Sequence, residues 1–170
     1  MIKTKSCSED TFVLLSVGSN IGDRLRNIEV AFELLVANQT LTNAVMSSFY
    51  ETEPVGILDQ DWFLNVAIAG TTKLCSGDLL LACKEIEQQI GREKRKRWHK
   101  REIDIDIILF GNEIVNSEEL QIPHPRLYKR RFVLLPSNEI AAKVKVPTFD
   151  MTIEELLNEC NDTSIVKIYG

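Results

Sequence analysis

Apolar residues in this chain fall into short runs and periodic stripes. FVLLSV is a compact apolar run between polar residues and predicts a buried strand over residues 12–17. GSNIGD, residues 18–23, is a turn signal. After it Leu25, Ile28, Ala31, Phe32 and Leu35 recur at helical spacing and predict an amphipathic helix over 24–36. Strand composition returns over 45–52 and again over 63–71, with a loop containing Pro54 and Gly56 between them. Ser76 is the predicted N-cap of a second helix that buries Leu79, Ala82, Cys83, Ile86 and Ile90 and ends at Gly91. Residues 103–110 read as a strand. GNE, residues 111–113, turns it into a hairpin with a short strand at Ile114 and Val115. A helix is expected over 126–135. Thr152 and Glu155 make a capping-box pattern before a last short helix, and 165–169 is an expected edge strand. Strands that come partly in adjacent pairs and partly separated by helices predict an α+β layered sandwich with a mostly antiparallel sheet.

The strand REIDIDIILF poses the chemical question. Successive side chains on a strand point to opposite faces, so Asp104 and Asp106 share one face while Ile103, Ile105 and Ile107 point into the core. Two neighbouring carboxylates repel, and one is driven to hold its proton unless a cation sits between them. Carboxylate oxygen is the ligand type of Mg²⁺, which commonly takes one or two carboxylates and completes its shell with substrate phosphate. The pair alone also fits two solvated aspartates on an exposed sheet face. Just upstream, GREKRKRWHKRE crowds Arg92, Lys94, Arg95, Lys96, Arg97, Lys100 and Arg101 around Trp98. That run reads either as a solvated charge cluster or as a phosphate clamp. A polyphosphate with its metal, lying between the basic loop and the aspartates, would account for both features. IPHPRLYKRRF then holds His124 between two prolines, with Arg130 and Arg131 beyond it. The histidine is either structural or a phosphate donor.

Composition narrows the field. The 170 residues carry a formal net charge of -5 with 44% hydrophobic and 26% charged residues, the profile of a soluble globular chain. An acidic balance argues against whole-surface nucleic-acid binding. Cys7, Cys75, Cys83 and Cys160 form no CxxC pair, so neither a zinc site nor a redox motif is expected, and Cys83 fits a small core position. The N-terminus has no apolar stretch long enough for a leader or a membrane span. A single domain over 1–170, cytoplasmic and monomeric, is the expectation, with no membrane or nucleic-acid partner.

SVGSNIGD, YETEPVG, DWFLN, IEQQIGR, RWHKREIDIDIILFG and IPHPRL followed by Arg130 and Phe132 appear in one order. In this ordered set the chain resembles the 6-hydroxymethyl-7,8-dihydropterin pyrophosphokinases of folate biosynthesis, from about Val13 to Ala142. The resemblance implies a ferredoxin-like sandwich. It also implies transfer of pyrophosphate from ATP to the hydroxymethyl group of the pterin, with release of AMP. Asp104 and Asp106 would hold two Mg²⁺ ions bridging the ATP phosphates, one of them also contacting the pterin hydroxyl. The pterin would lie between Phe63 and Phe132, with Asn65 and backbone near Thr52 and Val55 on its polar edge. Lys84, Glu87, Lys94, Trp98, Arg101, His124 and Arg130 would meet the nucleotide, and Arg92 and Arg101 would act in the transition state as the loop closes. Phe63 stands where many relatives have tyrosine, and stacking survives that change. Two rival readings remain at this level. One is another Mg²⁺-dependent nucleotidyl or glycosyl transferase. The other is a non-catalytic nucleic-acid module built on the basic loop, which would leave the aspartates unexplained.

Overall fold

A computed structural model describes residues 9–54, 61–92 and 100–170. The apolar run near the N-terminus forms β1 (Thr11–Ser19), and the periodic stripe after it forms α1 (Arg24–Ala37), whose N-cap Asp23 accepts a hydrogen bond from the Arg26 N–H. There follow β2 (Thr42–Met46), β3 (Tyr50–Thr52), β4 (Phe63–Thr72), α2 (Ser76–Ile90) and β5 (Asp104–Phe110). The strand order β3-β4-β1-β5 is antiparallel throughout. It interleaves two β-α-β units: β1-α1-β3 encloses β4, and β4-α2-β5 encloses β1. This is the α+β layered sandwich that the pattern of elements predicted, in the ferredoxin-like form that the family resemblance implied. A last strand, β10 (Val166–Ile168), joins the far edge beside β3. Between β5 and β10 lie β6 (Val115–Asn116), β7 (Gln121–Ile122), a 3₁₀ turn (Leu127–Lys129), α3 (Arg131–Ala141), β8 (Lys145–Val146), β9 (Met151–Thr152) and α4 (Ile153–Glu159).

The sheet has a core on each face. On one, Ile103, Ile105 and Ile107 pack with Val13, Leu15 and Val17 under α1 and α2, through Ile28, Leu35, Leu79, Cys83 and Ile86. On the other, Leu14, Ala67, Ala69, Ile108 and Leu109 lie under Val133, Leu134, Ile153 and Leu156 of α3 and α4. A register shift between Leu14↔Leu109 and Leu15↔Ile107 places a bulge at Ile108. It lets Ile108 and Leu109 both enter the second core without disturbing the alternation at Asp104 to Ile107. Among the described residues no helix is long and apolar enough to cross a membrane.

Four sequence expectations need correction. The N-cap of α2 is Cys75 rather than Ser76; Ser76 is the first helical residue and its hydroxyl bonds Glu113. The segment 45–52 is two strands, because Ser47 leaves the ladder: its hydroxyl accepts from the Ala67 N–H and donates to the Ser48 carbonyl. The strand after Gly111 turns away from β5 and pairs instead with β7, Val115 against Ile122. The helix expected over 126–135 starts at Arg131 after the 3₁₀ turn and runs past Pro136 to Ala141. A proline inside a helix removes one backbone bond and costs roughly 3 kcal/mol. Burial of Val133, Leu134, Pro136 and Ala141 against the sheet offsets it.

Candidate active site

Helix α3 covers only part of its sheet face. Beyond its reach the same face carries Ser16 and Gly18 from β1, Phe63 and Asn65 from β4, Thr52 from β3, and Asp104 and Asp106 from β5. These residues line a cleft of about 230 Å³. Ser16, Gly18, Asn65, Asp104 and Asp106 floor it, Thr52, Glu53 and Phe63 form one wall, and Arg101, His124, Arg126, Arg130 and Phe132 form the rest. The pairing register sets the floor: Gly18 stands opposite both Asn65 and Asp104, and Ser16 opposite Asp106. A Cβ on Gly18 would run into the Asn65 side-chain oxygen, so this strand position is left bare to seat the amide. Asn65 is buried and donates to the Thr52 hydroxyl at 2.7 Å.

The aspartates lie on one face as the alternation requires. Arginines already grip one of them: Arg101 Nη1 is 2.6 Å from Asp104 Oδ2, and Arg92 Nη1 is 3.0 Å from Asp104 Oδ1. Burial, and for Asp104 the neighbouring charge of Asp106, push both carboxyls above their ordinary range against the pull of the arginines. Such a pair favours a shared cation. Among the described residues no group of three or more His, Cys, Asp and Glu stands ready to hold a metal. Phosphate and water are the ligands with which Mg²⁺ commonly completes a shell begun by one or two carboxylates.

β5 is an edge strand, and side groups meet its outward backbone. Buried Glu87 of α2 accepts from the Ile105 N–H at 2.7 Å and pairs with Arg92; burial pushes its carboxyl up to about 7. Opposite, the His124 N–H donates to the Ile108 carbonyl, and His124 Nδ1 accepts from the Arg126 N–H at 3.2 Å. The ring proton is thereby assigned to Nε2, the nitrogen that remains to donate. Burial, then the charges of Arg130 and Arg126, hold this imidazole down at about 4, so it is neutral at pH 7. The Arg130 guanidinium lies 5.5 Å from the centroid of the Phe132 ring.

Of the residues singled out from sequence, Thr52, Phe63, Asn65, Arg101, Asp104, Asp106, His124, Arg130 and Phe132 line one cleft. Arg92 and Glu87 stand directly behind Asp104. Lys84 is exposed on α2 and is not among the cleft residues. Val55, Lys94 and Trp98 lie outside the described residues. Two asparagines were not singled out from the sequence: Asn20, in the segment read only as a turn, and Asn27, on the first turn of α1. Asn20 exchanges bonds with Arg101: its N–H donates to the Arg101 carbonyl, and its Oδ1 accepts from the Arg101 N–H at 2.8 Å. Asn27 donates to the carbonyls of Ile21 and Glu102. The two staple the chain entering β5 to the end of β1 and so fix Arg101 over Asp104. No local signal marks either residue, because their partners lie at Arg101 and Glu102.

Fold and cleft together define a ferredoxin-like α+β protein with an acidic floor and basic walls. The chain belongs to the 7,8-dihydro-6-hydroxymethylpterin-pyrophosphokinase (HPPK) family, whose model matches residues 14–142. It is 44% identical over 131 residues to the 2-amino-4-hydroxy-6-hydroxymethyldihydropteridine pyrophosphokinase of Bacillus subtilis (strain 168), covering 77% of this chain and 78% of that one. To the enzyme of the same name from Methylorubrum extorquens it is 37% identical over 158 residues, covering 93% and 99%. Among solved structures it is similar to Plasmodium falciparum HPPK-DHPS with pteroate at a TM-score of 0.70 and 17% identity. That match covers 89% of this chain and 42% of the longer one, and it speaks for the fold.

Proposed function

We propose that this protein transfers the terminal pyrophosphoryl group of ATP to the hydroxymethyl oxygen of 6-hydroxymethyl-7,8-dihydropterin, as an ATP-dependent diphosphotransferase of folate biosynthesis. The observation that carries the reading is the convergence of the aspartate pair, the arginines and the Phe63/Asn65/Phe132 slot in one cleft of a chain belonging to this family. The pterin hydroxyl oxygen bonds to the β-phosphorus and gives up its proton to solvent, the bond from that phosphorus to the α,β-bridging oxygen breaks, and AMP leaves with that oxygen.

Phe63 and Phe132 offer aromatic faces to a flat ring, and the Asn65 amide supports hydrogen bonds on its polar edge. Arg101, Arg130 and the Nε2–H of His124 bind and orient phosphate oxygens, and Arg92 joins them from its place behind Asp104. Asp104 and Asp106 would hold two Mg²⁺ ions. When bound, these would supply charge neutralisation at the attacking and leaving oxygens. The protein's own contribution is positioning and preorganised charge, which phosphoryl-type transfer chiefly needs. This reading takes a single copy in the cytoplasm as the working unit. An acidic cleft floor repels a nucleic-acid backbone, which sets the binding-module reading aside.

Incubation of the purified protein with ATP, Mg²⁺ and hydroxymethyldihydropterin tests this. Pterin-dependent release of AMP is expected. ADP or pyrophosphate as the product, or no turnover, would overturn it.

A further inference from the structure

The carboxy-terminal residues 162–169 lie outside the family-matched region, yet they bond to both walls of the cleft. At one end Asp162 Oδ2 accepts from the backbone N–H of Arg131 at 2.8 Å. Arg131 is the first residue of α3, and its neighbours Arg130 and Phe132 both line the cleft. Arg130, the N-cap residue of α3, makes no side-chain cap bond, so Asp162 supplies a capping acceptor from a distant segment.

At the other end β10 pairs with β3, Val166 against Thr52 and Ile168 against Tyr50. The Ile165 N–H donates to Glu53 at 2.8 Å. Thr52 and Glu53 line the opposite wall. A charged knot on the far side of these strands locks the same rung. Arg24 donates to the Trp62 carbonyl at 2.6 Å and to Glu51 at 3.0 Å, with its guanidinium 5.8 Å from the Tyr169 ring centroid. Lys167 lies 3.6 Å from Glu51 and 5.1 Å from the Trp62 ring centroid. Glu51 immediately precedes Thr52 and Trp62 immediately precedes Phe63, and Thr52 pairs with Phe63.

We infer that residues 162–169 form a strap that sets the spacing between the Phe132 wall and the Thr52/Phe63 wall, with Asp162 and Arg24 as its positioning residues. The inference rests on the pterin lying between those walls. A flat ring gripped on both faces loses contact steeply as the gap widens, since a radial gap of about 0.5–1 Å forfeits a quarter to a half of the dispersion well. The strap therefore acts on pterin recognition and leaves the chemistry at the aspartates intact.

The experiment is steady-state kinetics with thermal melts on wild type, Asp162→Ala, Asp162→Asn and Arg24→Met. Both Asp162→Ala and Arg24→Met are expected to raise KM for the pterin on the order of 10-fold, about 1.4 kcal/mol, with kcat nearly unchanged. Asp162→Asn keeps an acceptor oxygen and is expected to recover most of the loss. A pterin KM equal to wild type in the Ala and Met variants, whatever their melting temperatures, would overturn the inference alone. A wild type that forms no AMP with this pterin would overturn the substrate reading and the inference with it. If Arg24→Met fails to fold, the Asp162 pair decides the matter.

Discussion

Asp104 and Asp106 occupy the same strand face but different surroundings. Both oxygens of Asp104 are engaged, one by Arg92 and one by Arg101. The charge of Arg130 bears most on Asp106, with those of Arg101, Arg92 and Arg126 behind it. Replacing either by asparagine removes an anionic ligand, and turnover with Mg²⁺ is expected to fall on the order of 10²-fold or more. Stability separates them. Asp106→Asn relieves two partly buried like charges and is expected to melt at or above wild type. Asp104→Asn strips Arg101 and Arg92 of an anionic partner and is expected to melt lower. Differential scanning fluorimetry alongside single-turnover assays checks both, and full activity in either variant would contradict the metal assignment. The pair was legible from sequence because strand alternation fixes facing from local information alone. The staple formed by Asn20 and Asn27 was not, since their partners lie at Arg101 and Glu102, 81 and 75 residues away along the chain.

Elements were readable where a local pattern decides them and unreadable where a distant partner does. The stripe of α1 and the capping box of α4 depend on neighbours three or four residues away. Thr152 Oγ1 accepts from the Glu155 N–H, and Glu155 reaches back to the Thr152 N–H at 2.7 Å. Removing the cap with Thr152→Ala is expected to cost roughly 1 kcal/mol. Chemical denaturation checks that figure. Because α4 contributes no residue to the cleft, kinetic constants are expected to stay at wild-type values. By contrast the break at Ser47 arises from an exchange with Ala67, and β6 chooses β7 over β5 through tertiary pairing. α3 runs past Pro136 because the sheet beneath rewards its apolar side, a reward no window around the proline displays.

Across the whole molecule, β5 is gripped from both flanks by groups whose titrations oppose each other. Glu87 on the α2 side keeps its proton up to about 7 when folded, against an ordinary 4.5, because it is buried. Its contribution to stability is complete below pH 4.5 and is lost as pH rises through 7. His124 on the other side protonates only near 4 when folded, against 6.5, because burial and the charges of Arg130 and Arg126 disfavour its cation. Its contribution is complete above pH 6.5 and is lost as pH falls toward 4. Each interval is worth roughly 3 kcal/mol at most. Between pH 4.5 and 6.5 the two slopes nearly cancel, so their joint effect on wild-type stability is nearly level there. Glu87→Gln keeps acceptors for Ile105 and removes one slope, so its stability relative to wild type should climb as pH rises from 4.5 to 7. His124→Gln should do the reverse, losing ground to wild type over 4 to 6.5. Urea midpoints across this range decide the point: curves for both variants running parallel to wild type would show that neither group titrates as its surroundings in the fold require.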